Sequence, residues 1–269
     1  MADVKPNINI TDENLPILGD FETIKNNKIG IVLTEIMFDD VYSKYFSLFE
    51  VPYYVKLHLD SAEKFWVSQE RVVKWELHCL SHAFRQINLP LILLKGAAYS
   101  AAGVNAKSGR LFNDIDLIVP KERLQEIQDA LKIYGWFPEN LDGYDKSYYE
   151  RWMHELPPLR HIKRGTVLDI HHNILPHTCK ISPKAELLLA DVVKIPKTEY
   201  WTLSSCDMVL HSASHLFWGG EFDNGLRDLT DIDLLIRECN EHNIGFFEEL
   251  VSRAEFLGLE KPLFYALRY

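Results

Sequence analysis

The chain has 269 residues, 47% hydrophobic and 25% charged, with 29 Lys and Arg against 39 Asp and Glu for a formal net charge of −10. That balance describes a globular protein able to bury a substantial core in one or two domains. It excludes generic nucleic-acid binding, which needs clustered Lys and Arg, while leaving room for a small basic site that holds a triphosphate.

Residues 1–20 form a polar arm with no apolar signal core, and residues 21–49 have helix-like spacing rich in aromatics, punctuated by Pro52. A long helix is predicted from Ser61 to about Asn88-Leu89-Pro90, with Phe65, Val72, Val73, Leu77, Leu80 and Phe84 recurring near helical spacing. A strand over 91–95 and a glycine turn at Gly96 lead into a helix over 96–102. A strand over 114–119 and a helix over 121–134 follow, the helix opened by Pro120 and ended by Gly135. Further strands are predicted near 136–138, 156–163 and 166–172. Helices are predicted near 183–193, 204–218, 227–241 and 246–257, with a short extended piece at Trp201-Thr202-Leu203. Leu267-Arg268-Tyr269 breaks off inside an apolar pattern, so the natural polypeptide is expected to continue.

No run approaches the roughly 18 apolar residues that span a bilayer. The cysteines Cys79, Cys179, Cys206 and Cys239 are widely spaced, with no Cys-x-x-Cys. That spacing argues against zinc ribbons and thiol redox chemistry and suits a reducing compartment, so a cytoplasmic location is expected.

The segment Asp114-Ile115-Asp116-Leu117-Ile118-Val119 carries the chemistry. On a strand, residues i and i+2 share a face, so Asp114 and Asp116 project together while Ile115 and Leu117 face a core. Two partly buried like charges are costly unless a cation lies between them. Mg²⁺ suits carboxylate oxygens combined with substrate phosphates. Asp169, inside the strand-like Val167-Leu168-Asp169-Ile170-His171, completes a three-carboxylate cluster if its strand pairs beside the first.

Upstream, Leu94-Lys95-Gly96-Ala97-Ala98 places a glycine at a strand-to-helix turn, where backbone N–H groups and a helix N-terminus can receive an anion. Arg110, four residues before Asp114, is either a phosphate clamp or a neutraliser of the acids. His154, His161, His171, His172 and His177 with Cys179 match no standard zinc spacing. His171 shares a strand face with Asp169, and with His154 it is a candidate for lining the cleft. His211 and His215 sit four apart on a helix and read as packing or cleft lining. Trp66, Trp75, Trp152, Trp201 and Trp218 are expected as core or interdomain anchors. Asp231-Ile232-Asp233-Leu234 echoes residues 114–117 but sits in helical spacing, where residues two apart diverge and cannot share a metal. Asp231 or Arg227 is expected to contact the active-site domain.

Strand-Gly-helix, then Asp-x-Asp on a strand, then one Asp on a later strand resembles the DNA polymerase β-type nucleotidyltransferase superfamily. Leu94-Lys95-Gly96-Ala97-Ala98, Gly109-Arg110, Asp114-Ile115-Asp116-Leu117, Gly135-Trp136-Phe137, His154 and Asp169-Ile170-His171-His172 resemble one branch of it, the uncharacterised nucleotidyltransferases. The likeness covers roughly residues 90–180. Two departures separate the chain from the wider superfamily. Gly96-Ala97 stands where Gly-Ser is usual, and the interval from Gly96 to Asp114 is longer.

The resemblance implies an α+β fold, a small mixed sheet with a nucleotidyltransferase-type core at 89–181, flanked by helical regions at 1–88 and 182–269. It implies a Mg²⁺-dependent enzyme that moves a nucleoside monophosphate from an NTP to a hydroxyl acceptor, whether small molecule, sugar or protein. Two Mg²⁺ ions would be held by Asp114, Asp116 and Asp169, with Lys95, Gly96 and Arg110 on the nucleotide and His154 and His171 in the cleft. The rival expectation is an inactive nucleotide- or partner-binding module on the same scaffold. A metallohydrolase using the histidines is a third.

Overall fold

The computed structural model describes residues 53–269 except 109, 112–113, 140–151, 177 and 220–224. The polar arm, the helix-like stretch over 21–49, Gly109, Asn113 and His177 therefore lie outside the described residues.

Helix α1 (Tyr53–Gln86) leads into β1 (Leu91–Leu93) and α2 (Lys95–Ala102). A 3-10 turn at Asn105–Lys107 precedes β2 (Asp114–Ile118), and another at Lys121–Arg123 precedes α3 (Leu124–Ile133). Strands β3 (Trp136–Pro138), β4 (Leu159–His161) and β5 (Val167–His171) follow, then α4 (Ala185–Leu189), β6 (Val193–Lys194) and β7 (Tyr200–Thr202). The chain closes with α5 (Ser205–Trp218), α6 (Gly225–His242), α7 (Phe246–Leu257) and α8 (Glu260–Arg268). This is the expected α+β arrangement, although α8 has no counterpart in the sequence reading.

One seven-stranded mixed sheet runs in the order β3-β4-β5-β2-β1-β7-β6. It reaches past residue 181, because Leu91–Leu93 pairs in parallel with Tyr200–Thr202. Strands β2 and β5 lie side by side and parallel at its centre. Ile115, Leu117, Leu168 and Ile170 alternate with the polar residues on these two strands, and each is at most 1% exposed.

Val73, Leu77, Leu80 and Phe84 of α1 enter the core, but Phe65 and Val72 stay exposed, against expectation. Val72 and Val73 are adjacent on a helix and point about 100° apart, so only one can face the sheet. Buried Glu76 ties α1 to the β4–β5 hairpin, accepting from Arg164 Nε at 2.5 Å and from the Thr166 hydroxyl at 2.7 Å. Trp75 and Trp152 are exposed rather than anchoring, whereas Trp136 fills the core beside His161. The turn before Trp136 needs Gly135. Its φ is +90°, and a Cβ there would sit 3.2 Å from His161 Nε2.

Candidate active site

The parallel register sets Asp116 opposite Asp169 and Ile118 opposite His171. Period-2 alternation then puts Asp114, Asp116, Asp169 and His171 on one face of the sheet. The carboxylates predicted from sequence are thus brought to neighbouring positions on β2 and β5.

Asp116 is 5% exposed, and its Oδ1 accepts from Lys95 Nζ at 3.1 Å and pairs with His171 Nε2 at 2.9 Å. Burial works against its charge, but the Lys95 ammonium and the His171 bond outweigh it and hold the carboxyl well below the usual range. Lys95 gains reciprocally. Burial opposes the ammonium, and the field of Asp116 more than restores it. Asp114 and Asp169 go the other way. Burial and the neighbouring carboxylates raise both, Asp169 to about 7. The buried Lys95 ammonium bonds Asp116, while Asp169 Oδ1 is buried without a hydrogen-bond partner.

Lys95 reaches Asp116 by an unexpected route. The residue with left-handed backbone at this turn is Lys95, at φ +44°, not Gly96. A non-glycine residue there is strained by about 1 kcal/mol or more. The turn is tied down by Leu94 N–H donating to the Asp116 carbonyl at 2.9 Å, and this conformation carries the Lys95 side chain to the acids. Gly96 lies buried in the first turn of α2.

Arg110 is buried, forms an ion pair with Asp231 of α6, and has its guanidinium 5.4 Å from the Tyr99 ring centroid. Its field is the least of the influences on Asp114, which burial and Asp116 still raise. Asp231 contacts the active-site domain through Arg110, as expected, and Asp233 faces solvent on the same helix. Neighbouring Asp228 meets Arg227 at 3.0 Å and lies 3.8 Å from His215. Burial opposes its ionisation, but these partners keep it at about 2. His211 is fully buried, and burial with nearby Lys95 holds it neutral.

Glu155 was not singled out in the sequence. It forms an isolated antiparallel bridge with His171, which turns its carboxylate toward the same face, and Oε2 lies 3.3 Å from His171 Nδ1. The available signal was its place directly after His154, two positions before Pro157. His154 stands beside His171 with ring centroids 5.2 Å apart, and burial and the His171 field lower it to about 3.

The donors of the aspartate trio are all carboxylate oxygens, more numerous than the cations beside them, with one oxygen orphaned. Such a set fits a hard divalent ion such as Mg²⁺.

A sheet presenting these acids beside a strand-to-helix turn defines a nucleotidyltransferase-type core. The chain belongs to the uncharacterised nucleotidyltransferase family, whose sequence profile matches residues 41–269. No curated protein matches the chain at a significant level. Among solved structures it is similar to the antibiotic-resistance factor ANT(2'')-Ia, at 16% identity and a TM-score of 0.45 over 72% of this chain and 96% of that one. A second structure of that factor, in complex with adenylyl-2"-tobramycin, gives 16% identity and a TM-score of 0.44 over 70% and 99%.

Proposed function

We propose that this protein is a Mg²⁺-dependent nucleotidyltransferase that moves a nucleoside monophosphate from an NTP to a hydroxyl-bearing acceptor. The observation that carries the reading is the parallel register of Asp116 with Asp169, with Asp114 on the same face, in a chain of this family. Asp114, Asp116 and Asp169 would hold two Mg²⁺ ions. Bound there, the ions would neutralise triphosphate charge and favour the ionised form of an acceptor hydroxyl. The carboxylates fix where cations can sit, and their burial raises the strength of every charge interaction at the site.

Lys95 and Gly96, at the turn into α2, are assigned to the polyphosphate. Lys95 would exchange its bond to Asp116 for one to phosphate oxygen as cations arrive. Arg110 is also assigned to the nucleotide, which it would reach by exchanging Asp231 for phosphate oxygen. We take residues 89–181 as the catalytic unit, extended by β6 and β7, between helical regions at 1–88 and 182–269. No helix among the described residues is long and apolar enough to cross a membrane. The free state of all four cysteines supports a cytoplasmic assignment.

One observation favours a second reading. Lys95 and His171 both occupy Asp116 Oδ1, so the acid already has its cation. On that reading the scaffold binds nucleotide or a partner without chemistry.

The two readings part in one experiment. The full chain is incubated with Mg²⁺ and NTP labelled at the α-phosphate, together with pooled small-molecule and protein acceptors. Transfer of label with pyrophosphate release supports the enzyme. NTP binding without release, across metals and acceptors, supports the module.

A further inference from the structure

We infer that His154, Glu155 and His171 form a second metal site, selective for a late first-row divalent ion such as Zn²⁺ or Co²⁺ and distinct from the aspartate trio. One donor atom from each of the three residues lies within 4.8 Å of the other two. That spread is close enough for one ion bound at about 2.0–2.2 Å from each after small side-chain adjustments.

The hydrogen-bonding around His171 sets its lone pair toward this point. An ionised carboxylate only accepts, so His171 Nε2, at 2.9 Å from Asp116 Oδ1, carries the proton and donates. Nδ1 is the ring nitrogen left to face Glu155, 3.3 Å from its Oε2, and it makes no hydrogen bond. A buried nitrogen and carboxylate oxygen this close with no bond between them call for a positive partner, which a metal ion supplies by displacing any proton held there. The His171 side chain is only 4% exposed, so water cannot readily relieve the contact. His154 Nδ1 is likewise buried with no hydrogen bond. Its backbone is fixed, since the His154 carbonyl accepts from the N–H groups of His172 at 2.8 Å and Asn173 at 3.3 Å.

The arrangement has the features of a ligating imidazole. A metal-binding histidine usually donates its second ring N–H to a carboxylate, and here that carboxylate is Asp116. Two imidazoles and one carboxylate suit Zn²⁺, Co²⁺ or Fe²⁺ better than Mg²⁺, which prefers oxygen donors. Three protein ligands leave a coordination position open to water or a substrate oxygen. Through His171, an ion here would sit one side chain away from Asp116. Nucleotidyl transfer is not a premise of this site.

The test is titration of the metal-free full chain with Co²⁺, read by its visible d–d absorption, with Zn²⁺ as competitor. With excess Mg²⁺ present to occupy the aspartate trio, the wild-type protein should bind about one equivalent of Co²⁺ with N/O-type bands displaced by Zn²⁺. Glu155→Gln and His154→Ala should each weaken binding by more than about 100-fold, and Asp116→Asn by about 10- to 100-fold through the imidazole it orients. Asp114→Asn should leave Co²⁺ binding unchanged even if it abolishes nucleotidyl transfer, which separates the two claims. Far-UV circular dichroism checks that each variant is folded. The inference is overturned if the wild type shows no Co²⁺ bands, if the bands are thiolate-type, or if a folded Glu155→Gln, His154→Ala double variant binds as tightly as wild type.

Discussion

Asp169→Asn should make the metal-free protein more stable above neutral pH, although it removes a residue assigned to the active site. In the native state burial and the neighbouring acids raise Asp169 from 3.8 to about 7. The unfolded chain releases that proton near its ordinary value, so between about pH 4 and 7 the native state holds more protons than the unfolded one. Stability therefore falls as pH rises through this window. The displacement corresponds to at most about 4 kcal/mol above pH 7. Asp116 works in the opposite sense, but its stabilisation is lost only under acid conditions, below its ordinary value of 3.8, so it leaves this window unchanged. Asn keeps the shape and discards the charge, at a cost of about 1 kcal/mol for a buried amide with incomplete partners. The net gain at pH 8 in EDTA should be about 2–3 kcal/mol. Urea denaturation of both proteins from pH 5 to 8 measures it. The wild-type curve should slope downward and the variant's should be flatter. With saturating Mg²⁺ the order should reverse, because only the intact trio gains binding energy. Parallel pH profiles, or a variant that is less stable than wild type at pH 8 in EDTA, would refute the reasoning.

Lys95→Met removes the cation from a buried carboxylate and should cost about 3–5 kcal/mol in EDTA, part of it recovered by Mg²⁺, as read by thermal unfolding. Asp231→Ala, which withdraws the carboxylate from the buried Arg110 guanidinium, should cost a similar amount, about 3–5 kcal/mol, by urea denaturation. Glu76→Gln weakens the charged bonds to Arg164 and Thr166 and should cost about 1.5–3 kcal/mol, with hydrogen exchange rising first in the β4–β5 hairpin.

The sheet at the site was legible because its signals are local. Alternation puts Asp114 and Asp116 on one face whatever the surrounding fold, whereas Asp169 joins them only through the β2–β5 pairing, and the helical spacing of Leu229, Ile232 and Leu235 separates Asp231 from Asp233. What stayed hidden depends on contacts between distant segments. Glu155 joins the cluster only through its bridge to His171, across an irregular stretch that gives no periodic signal. The positive φ falls on Lys95, whose ammonium bonds Asp116 twenty-one residues on, and not on the glycine beside it, where residue type alone would have put it. Arg110 turns to Asp231, more than a hundred residues away, and no local spacing reports that pairing. The exposed Trp75 and Trp152 mark the limit of reading burial from residue type alone.

The most direct measurement of the central claim is Mg²⁺-dependent transfer of α-labelled phosphate from NTP, comparing wild type with Asp116→Asn under identical conditions. The account predicts labelled product and stoichiometric pyrophosphate from the wild type, and neither from a folded Asp116→Asn variant. Full transfer by that variant would contradict it, as would wild-type protein that binds Mg²⁺ and NTP yet releases no pyrophosphate with any acceptor.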